Sequence, residues 1–205
     1  MSGPGAHSDA APLYGLILAG GSSSRMHRDK AALRYHGKSQ LERAIELAAR
    51  HVSKVFVSVR VDQTADPMRS QQTLIVDSVA GKGPIVGIRS ALAAYPRAAW
   101  LVLACDLPFL SDAALSQLLR ERDAASLATA YRSAHDGLPE PLCAVWEPAA
   151  AAPLAAYQAG GADCPRKFLI RHATHLLEPL DRRALDNINT PEEYAQALAT
   201  LDAAS

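Results

Sequence analysis

The stretch that decides the fold reads 13-LYGLILAGGSSSRMHRDK-30. Its first part, Leu13–Leu18, is short, apolar and uncharged, which predicts a buried strand of a parallel sheet. The loop that follows holds two adjacent glycines, three serines, two arginines and a lysine. Because ligands bind at the carboxyl ends of strands in open α/β sheets, this loop lies at the expected position of a binding site.

The composition of this loop suits a bound phosphate. Gly20 and Gly21 have no side chains, so their backbone N–H groups can approach an anion closely. Arg25 and Lys30 add positive charge at the same place. A flexible turn with solvated charges is the alternative, and a bare Gly-Gly pair would favour it. The long run of small, hydroxyl-bearing and cationic residues directly after a strand favours phosphate binding instead.

Two well-known phosphate motifs do not account for the loop. The dinucleotide fingerprint G-x-G-x-x-G is absent after the first strand. Gly37-Lys38-Ser39 looks like the end of a nucleotide-binding P-loop, but Ala32 stands where the leading glycine of that motif belongs. We interpret Gly37–Ser39 as a turn followed by a helix cap.

The segment Leu18–Lys30 resembles the signature loop of the nucleotidyltransferases typified by molybdenum cofactor guanylyltransferase, L-A-G-G-x-S-x-R-M-x-x-D-K. That family usually has glycine after the Arg-Met pair, where this chain has His27. The resemblance implies a Rossmann-like three-layer α/β/α sandwich of the nucleotide-diphospho-sugar transferase type, with a mainly parallel sheet and one antiparallel strand. It also implies nucleotide contacts from Leu18, Ala19, Gly20 and Gly21.

Length and composition limit the class of protein. The chain has 205 residues, of which 49% are hydrophobic and 20% charged, and its formal net charge is zero. Balanced charge argues against nucleic acid or an anionic membrane as the main partner, and no apolar stretch is long enough to span a bilayer. The three widely spaced cysteines form no zinc pattern and suggest a reducing cytoplasm. We expect a cytoplasmic protein, with residues 1–11 as a disordered tail and 12–205 as a single domain.

Strand and helix patterns alternate along the chain, which predicts an α/β fold independently of the resemblance. Further strands are predicted at 52–60, 73–76, 99–105, 125–131, 142–146 and 173–178. Helices are predicted to begin at Ser39, Pro84, Ser111, Cys164 and Thr190, and an alanine-rich helix ends near Ala159. The sequences S-Q-L-E at 39–42 and T-P-E-E at 190–193 fit capping boxes, in which a hydroxyl and a carboxylate satisfy free amides.

A second informative loop reads 77-DSVAGKGPIVG-87. It begins with an acid at a strand end and continues into glycines and a proline that suits a first helical turn. A plain connection to a helix would explain this pattern. The functional interpretation places Asp77 and the backbone of Gly81–Pro84, with Gly83 and Pro84 as the named contacts, around the base and sugar of a nucleotide. The resembled family has an aspartate and a Gly-Pro here that contact guanosine.

Asp106 follows the most hydrophobic predicted strand, 99-AWLVLAC-105. A carboxylate there lies beside the first loop, and carboxylate oxygen is a ligand that Mg²⁺ prefers. Helix capping is the alternative role, but Ser111 is better placed for it. Burial of an unpaired aspartate is costly, so a cation partner is expected. In the resembled family the acid of C-D-x-P-[FY] binds the metal, which makes Asp106 the candidate Mg²⁺ ligand.

The second half of the chain offers weaker signals for the acceptor. Pro141 lies in a segment that often reads His-Pro in the resembled family, where this chain has Glu140. Asn187 and Asn189 belong to the ending N-x-N-T-P-E-[ED] of that family and are candidates for contact with the metal or acceptor, although helix-start geometry would also explain them. Arg166 begins a short helix, where we interpret its charge as solvated.

The resemblance implies nucleotidyl transfer: an acceptor phosphate attacks the α-phosphorus of a nucleoside triphosphate, and pyrophosphate leaves. Lys30 and Arg25 would stabilise the triphosphate charge, Asp106 would hold Mg²⁺, GTP would be the donor, and molybdopterin carrying molybdate the acceptor. Contacts with a molybdoenzyme or a chaperone are left open. The alternatives are a CTP-using relative, another small-phosphate nucleotidyltransferase, or a non-catalytic nucleotide- or cofactor-binding module. Retention of both Lys30 and Asp106 argues against the last.

Overall fold

The computed structural model describes residues 11–20 and 29–203 of the chain. The strands are β1 (Leu13–Leu18), β2 (Arg34–Tyr35), β3 (Lys38–Ser39), β4 (Val55–Val59), β5 (Leu74–Val76), β6 (Ala99–Ala104), β7 (Ala128–Arg132), β8 (Pro139–Trp146) and β9 (Thr174–Leu177). The helices are α1 (Gln40–Ala49), α2 (Pro84–Ala94), α3 (Asp112–Arg120), α4 (Ala151–Ala159), α5 (Pro165–Arg171) and α6 (Pro191–Ala203). Single 3-10 turns cover Lys30–Ala32, Val61–Gln63 and Pro148–Ala150.

Seven strands form the central sheet in the order β5-β4-β1-β6-β8-β7-β9. Neighbouring strands are parallel except at β8, which is antiparallel to both β6 and β7. β6 is the middle strand, and every one of its residues is buried. The predicted mainly parallel sheet with one antiparallel strand is therefore confirmed.

Helices cover both faces of the sheet, because side chains of each strand alternate between two cores. Trp100 and Val102 of β6 pack in one core with residues of α2, α4 and α5. Leu101 and Leu103 pack in the other core with residues of α1 and α3. This division makes the three layers of the predicted α/β/α sandwich.

Helix starts follow the predicted capping chemistry. Ser39 Oγ accepts a hydrogen bond from Glu42 N at 3.2 Å, and Glu42 Oε2 accepts one from Ser39 N at 2.7 Å. Thr190 Oγ1 accepts from Glu193 N at 3.2 Å, and Glu193 Oε2 accepts from Thr190 N at 3.2 Å. Both predicted capping boxes are confirmed, and Ser111 caps α3 as expected.

The predicted elements all occur, but their ends shift by up to three residues, most notably in β8. β8 begins at Pro139, three residues before the predicted start of this strand at Leu142. Its prolines are tolerated because the pairing of β8 with β6 runs only from Cys143 to Trp146. Among the described residues, the first half of β8 therefore has no strand partner on the β6 side.

The small hairpin of β2 and β3 was not predicted, because strands of two residues leave no periodic pattern. Tyr35 of β2 and the neighbouring Leu33 pack with Ile188 and Ala197 in a third core, which joins the hairpin to α6. No helix of the described residues is long and apolar enough to cross a bilayer. Residues 1–10 of the expected tail lie outside the described residues, and the single domain at 12–205 stays a prediction.

Candidate active site

Two cavities open at the carboxyl ends of the parallel strands. The first cavity has a volume of about 700 Å³ and lies between the ends of β1, β4 and β6 and the start of α2. The second cavity has a volume of about 710 Å³ and lies between β8, the start of α5 and the segment before α6. Residues that line both cavities are Pro84, Ala104, Asp106, Leu142 and Asn189.

Lys30, Asp106 and Asn189 meet where the two cavities join. Lys30 Nζ donates to Asp106 Oδ2 and to Asn189 Oδ1, both at 2.7 Å. Asn189 Nδ2 in turn donates to Asn187 Oδ1 at 2.9 Å. The Lys30 and Asp106 side chains are each 18% exposed, so the ion pair is accessible to a ligand from either cavity. Four predicted site residues from three distant segments are thus brought together.

Lys30 is positioned by a buried arginine that sequence analysis missed. Asp29 Oδ1 accepts from Ala31 N at 3.0 Å, and Asp29 Oδ2 pairs with Arg69 Nη2 at 2.6 Å. The Arg69 side chain is 1% exposed and donates to Ala19 O from Nε at 3.1 Å and from Nη2 at 2.8 Å. Burial opposes the Arg69 charge, but the carboxylates of Asp29 and Asp66 outweigh it and raise the pKa of Arg69. Because Arg69 lies in a polar segment of the sequence, no pattern of neighbouring residues predicts this role.

Asn189 reaches the junction because the segment before α6 is tied to the end of β6. Ile188 N donates to Asp106 O at 3.2 Å, and Asn189 N donates to Glu193 Oε2 at 2.6 Å. Ile188 also packs in the third core. The predicted helix-start role of this segment is therefore confirmed, and the capped start of α6 leaves Asn189 within hydrogen-bond distance of Lys30. Contact of Asn187 and Asn189 with a metal or an acceptor stays a prediction.

The first cavity contains the predicted loop residues that lie within the described ranges. Leu18, Ala19 and Gly20 line it, and Gly20 O accepts a hydrogen bond from Arg60 Nη1. An added Cβ at Gly20 would meet Gln63 Oε1 at 3.5 Å, an ordinary contact, so the surroundings described here do not by themselves require glycine. The predictions for Gly21, Arg25 and His27 lie outside the described residues.

Asp77 lines the same cavity, and one oxygen of its carboxylate has no hydrogen-bond partner within the described residues. Asp77 N donates to Val59 O at 2.9 Å, while its Oδ1 is buried and has no hydrogen-bond partner within the described part of the chain. Burial raises the pKa of Asp77, against the opposing effects of Ser58 and Arg60. A buried acceptor without a partner costs free energy, which a ligand that donates to it would recover.

Gly83 and Pro84 also line the first cavity, at the start of α2. Gly83 precedes the helix with a φ of 73°, a conformation that favours glycine. Gly87, one turn later, lets α2 approach the sheet, because an added Cβ would lie 2.3 Å from Ser58 Oγ. The first turn of α2 therefore lines a cavity that Lys30 and Asp106 also line.

The second cavity is lined by the acceptor candidates Pro141 and Asn187, whose contact with an acceptor stays a prediction, and by charged side chains that are already paired. Arg166 Nη2 donates to Glu140 Oε2 at 2.7 Å, and its Nη1 donates to Asp136 Oδ2 at 3.0 Å. The interpretation of Arg166 as a solvated charge is therefore wrong. Sequence spacing could not show this pairing, because the three residues come from different elements.

The oxygen atoms at the junction suit a hard cation such as Mg²⁺. Asp106 supplies a carboxylate, and Asn187 and Asn189 supply amide oxygens nearby. No group of three or more His, Cys, Asp or Glu that could hold a metal occurs in residues 11–20 and 29–203. A donor set this small fits Mg²⁺, which binds through one or two carboxylates and completes its coordination with substrate phosphates and water.

The chain is similar to proteins of molybdenum cofactor synthesis. It is 37% identical over 186 residues to a molybdenum cofactor biosynthesis bifunctional protein of Synechocystis, which covers 90% of this chain but 53% of that protein. It is 33% identical over 217 residues to a molybdenum cofactor guanylyltransferase of Rhizobium meliloti, covering 98% of this chain and 96% of that protein.

The crystal structure of molybdopterin-guanine dinucleotide biosynthesis protein A from Archaeoglobus fulgidus has a TM-score of 0.77 to this chain at 25% identity, and covers 93% of this chain and 99% of that one. The predicted nucleotidyltransferase fold is thereby confirmed. The family profile described as the MobA-like NTP transferase domain matches residues 15–176, from β1 into β9. The chain therefore belongs to the MobA-like NTP transferase family.

Proposed function

We propose that this chain transfers GMP from GTP to molybdenum-loaded molybdopterin and releases pyrophosphate, with Mg²⁺ as cofactor. The observation that carries the proposal is the contact of Lys30 with Asp106 and Asn189 at the junction of the two cavities. A donor in the first cavity and an acceptor in the second would present their phosphates to the same ammonium and carboxylate. The names of the similar proteins agree with this reaction.

For this reaction the protein must align the two phosphates and neutralise their negative charge. An oxygen of the acceptor phosphate forms a bond to the α-phosphorus of the triphosphate, and the bond from that phosphorus to the bridging oxygen of pyrophosphate breaks. The attacking phosphate is already ionised, so no general base is needed. Lys30 would neutralise charge that develops on the triphosphate. Mg²⁺ held by Asp106 would supply further charge neutralisation. Gly21 and Arg25 keep their proposed nucleotide contacts from sequence resemblance alone.

The free oxygen of Asp77 supports guanine as the base. A carboxylate accepts hydrogen bonds and donates none at neutral pH. Guanine presents two adjacent donors, N1–H and the 2-amino group, whereas cytosine and adenine each place an acceptor beside a single amino group. Asp77 Oδ1, buried and without a partner inside the described ranges, therefore suits guanine better than the other two bases.

The acceptor would occupy the second cavity. Pro141 and Asn187 line it, and Asn189 reaches from there to Lys30. The acceptor phosphate would enter beside Asn189, on the side of Asp106 opposite the first cavity. This arrangement separates the base of the donor from the body of the acceptor and brings only their phosphates together.

Pyrophosphate release with Mg²⁺ and each nucleoside triphosphate, in the presence and absence of molybdenum-loaded molybdopterin, tests the proposal. We expect release with GTP, and only when the loaded molybdopterin is added. Preference for CTP would contradict the guanine assignment and retain the mechanism. Release with another small phosphate would contradict the acceptor. Stabilisation by nucleotide without any release would indicate a binding module instead.

A further inference from the structure

Gln158, near the end of α4, joins three parts of the fold with one side chain. Its Nε2 donates to Ala80 O at 2.9 Å, and its Oε1 accepts from Arg89 Nη1 on α2. Ala80 belongs to the loop between Asp77 and α2. This contact links residues 78 positions apart in the sequence, and no motif of the loop indicates it.

The backbone of Gly81 lies directly against Gln158. Gly81 has a φ of 141°, and an added Cβ would lie 2.0 Å from Gln158 Nε2. Glycine at this position therefore makes room for the amide of Gln158. Gly81, Lys82 and Gly83 all line the first cavity, so the Gln158 amide contacts the loop that forms this wall of the cavity.

The loop needs such support because its own sequence restrains it little. Gly81 and Gly83 both have positive φ, and glycine loses more conformational freedom on folding than any other residue. Within the described ranges, α2 has no side-chain cap at Gly83. At the other end of the loop, Ser78 N donates to Ser90 Oγ at 2.9 Å. Ser90 thus holds the start of the loop, and Gln158 holds its middle.

We propose that Gln158 is a positioning residue for the donor nucleotide: it orders the loop 78–83, and through it the wall that faces the base and sugar. This inference rests on the proposed function, because it assigns the first cavity to the donor. Gln158 itself need not touch the nucleotide. Its contribution is to order the loop before binding, so that the ligand does not bear that entropic cost.

Gln158→Glu is the sharpest variant. It keeps an oxygen that can accept from Arg89, but it replaces the N–H donor with a carboxylate oxygen facing Ala80 O. We expect the KM for GTP to rise roughly three- to tenfold, the effect of losing one hydrogen bond, with kcat changed less than about twofold. Amide hydrogen exchange at residues 80–83 of the ligand-free protein should become faster, because the opening of a loop is measured directly by exchange.

Gln71→Glu is the matched control. Gln71 Nε2 also donates to a backbone carbonyl, Pro67 O at 3.0 Å, and Gln71 is absent from the described lining of both cavities. We expect this variant to keep the wild-type KM for GTP and wild-type exchange at 80–83.

Unchanged exchange at 80–83 in Gln158→Glu would overturn the inference, and so would faster exchange with an unchanged KM for GTP. A fall in kcat without a change in KM would also contradict it, since that pattern indicates a loss in the reaction step. The proposed function fails separately, when the wild-type protein releases no pyrophosphate from GTP. In that case GTP-dependent thermal stabilisation replaces KM, and an equal shift in wild type and Gln158→Glu overturns the inference.

Discussion

The two cavities differ in whether their carboxylates already have hydrogen-bond or ion-pair partners. In the first cavity Asp77 keeps a buried oxygen free of hydrogen bonds within the residues described. In the second cavity Glu140 and Asp136 both pair with Arg166, and Asp186 Oδ1 lies 2.8 Å from His135 Nε2. A ligand in the first cavity can therefore satisfy an unmet acceptor, whereas a ligand in the second must compete with existing pairs.

This difference indicates which cavity should select its ligand more strongly. A free buried acceptor penalises a ligand that lacks the matching donor, because the carboxylate then stays unsatisfied. Partly exposed ion pairs contribute little free energy each, so exchanging them discriminates weakly. We expect sharp recognition of the base in the first cavity and softer recognition of the body of the acceptor in the second.

The largest effect is expected at the junction, where substitution should impair both cavities at once. Lys30→Ala and Asp106→Asn should each lower turnover about 10²- to 10³-fold, which is the loss seen when one preorganised charge-stabilising group is removed. Steady-state pyrophosphate release measures this. Lys38→Ala is the control, since Lys38 of β3 forms an exposed ion pair with Glu46 of α1 at 2.7 Å. Turnover within threefold of wild type in either junction variant would contradict its assigned role.

An intermediate effect is expected in the first cavity alone. Asp77→Asn should raise the KM for GTP about 10- to 100-fold, because a hydrogen bond to a charged acceptor contributes about 1.5–3 kcal/mol. The KM for the acceptor should stay unchanged. A parallel rise in both constants would break the distinction between the cavities.

Asp77→Asn should also show that the buried carboxylate of Asp77 lowers the stability of the wild-type protein at neutral pH. Burial raises the pKa of Asp77, so the folded state binds this proton more tightly than the unfolded state does. The resulting stability is present below the ordinary pKa of aspartate and is lost as the pH rises through the raised value. Without nucleotide, Asp77→Asn should therefore have a higher Tm than wild type at pH 7, and this advantage should shrink near pH 4. Thermal unfolding at both pH values provides the check.

The smallest effect is expected in the second cavity. Arg166→Ala would leave Asp136 and Glu140 without their shared cation beside a phosphorylated acceptor. The KM for the acceptor should rise about two- to fivefold, the range of a partly exposed ion pair, with the stabilisation by GTP unchanged. Arg120→Ala, which removes a surface pair with Glu121, serves as the control. A loss of GTP binding in Arg166→Ala would show that the two cavities are not independent.

The sequence indicated candidate site residues where a loop follows a strand of the parallel sheet. Lys30, Asp77 and Asp106 could all be chosen before the structure, because each belongs to a loop at the carboxyl end of a parallel strand, and such loops converge at one edge of the sheet. Arg69 and Gln158 could not be chosen. Their roles depend on hydrogen bonds to the backbone carbonyls of Ala19 and Ala80. The sequence does not show which polar side chains lie close enough to those carbonyls to form such bonds.

By itself, the sequence determined the chain order of the helices and of the strands of the central sheet, the capping boxes and the chemical character of the first loop, because these depend on residues within one turn or one strand of each other. Only the tertiary structure decided that Asn189 shares Lys30 with Asp106, that Arg166 lies between two acids, and that Gln158 supports the loop over Gly81. Those contacts join residues brought together by the packing of whole elements, and that packing is set by the shapes of the cores on both faces of the sheet.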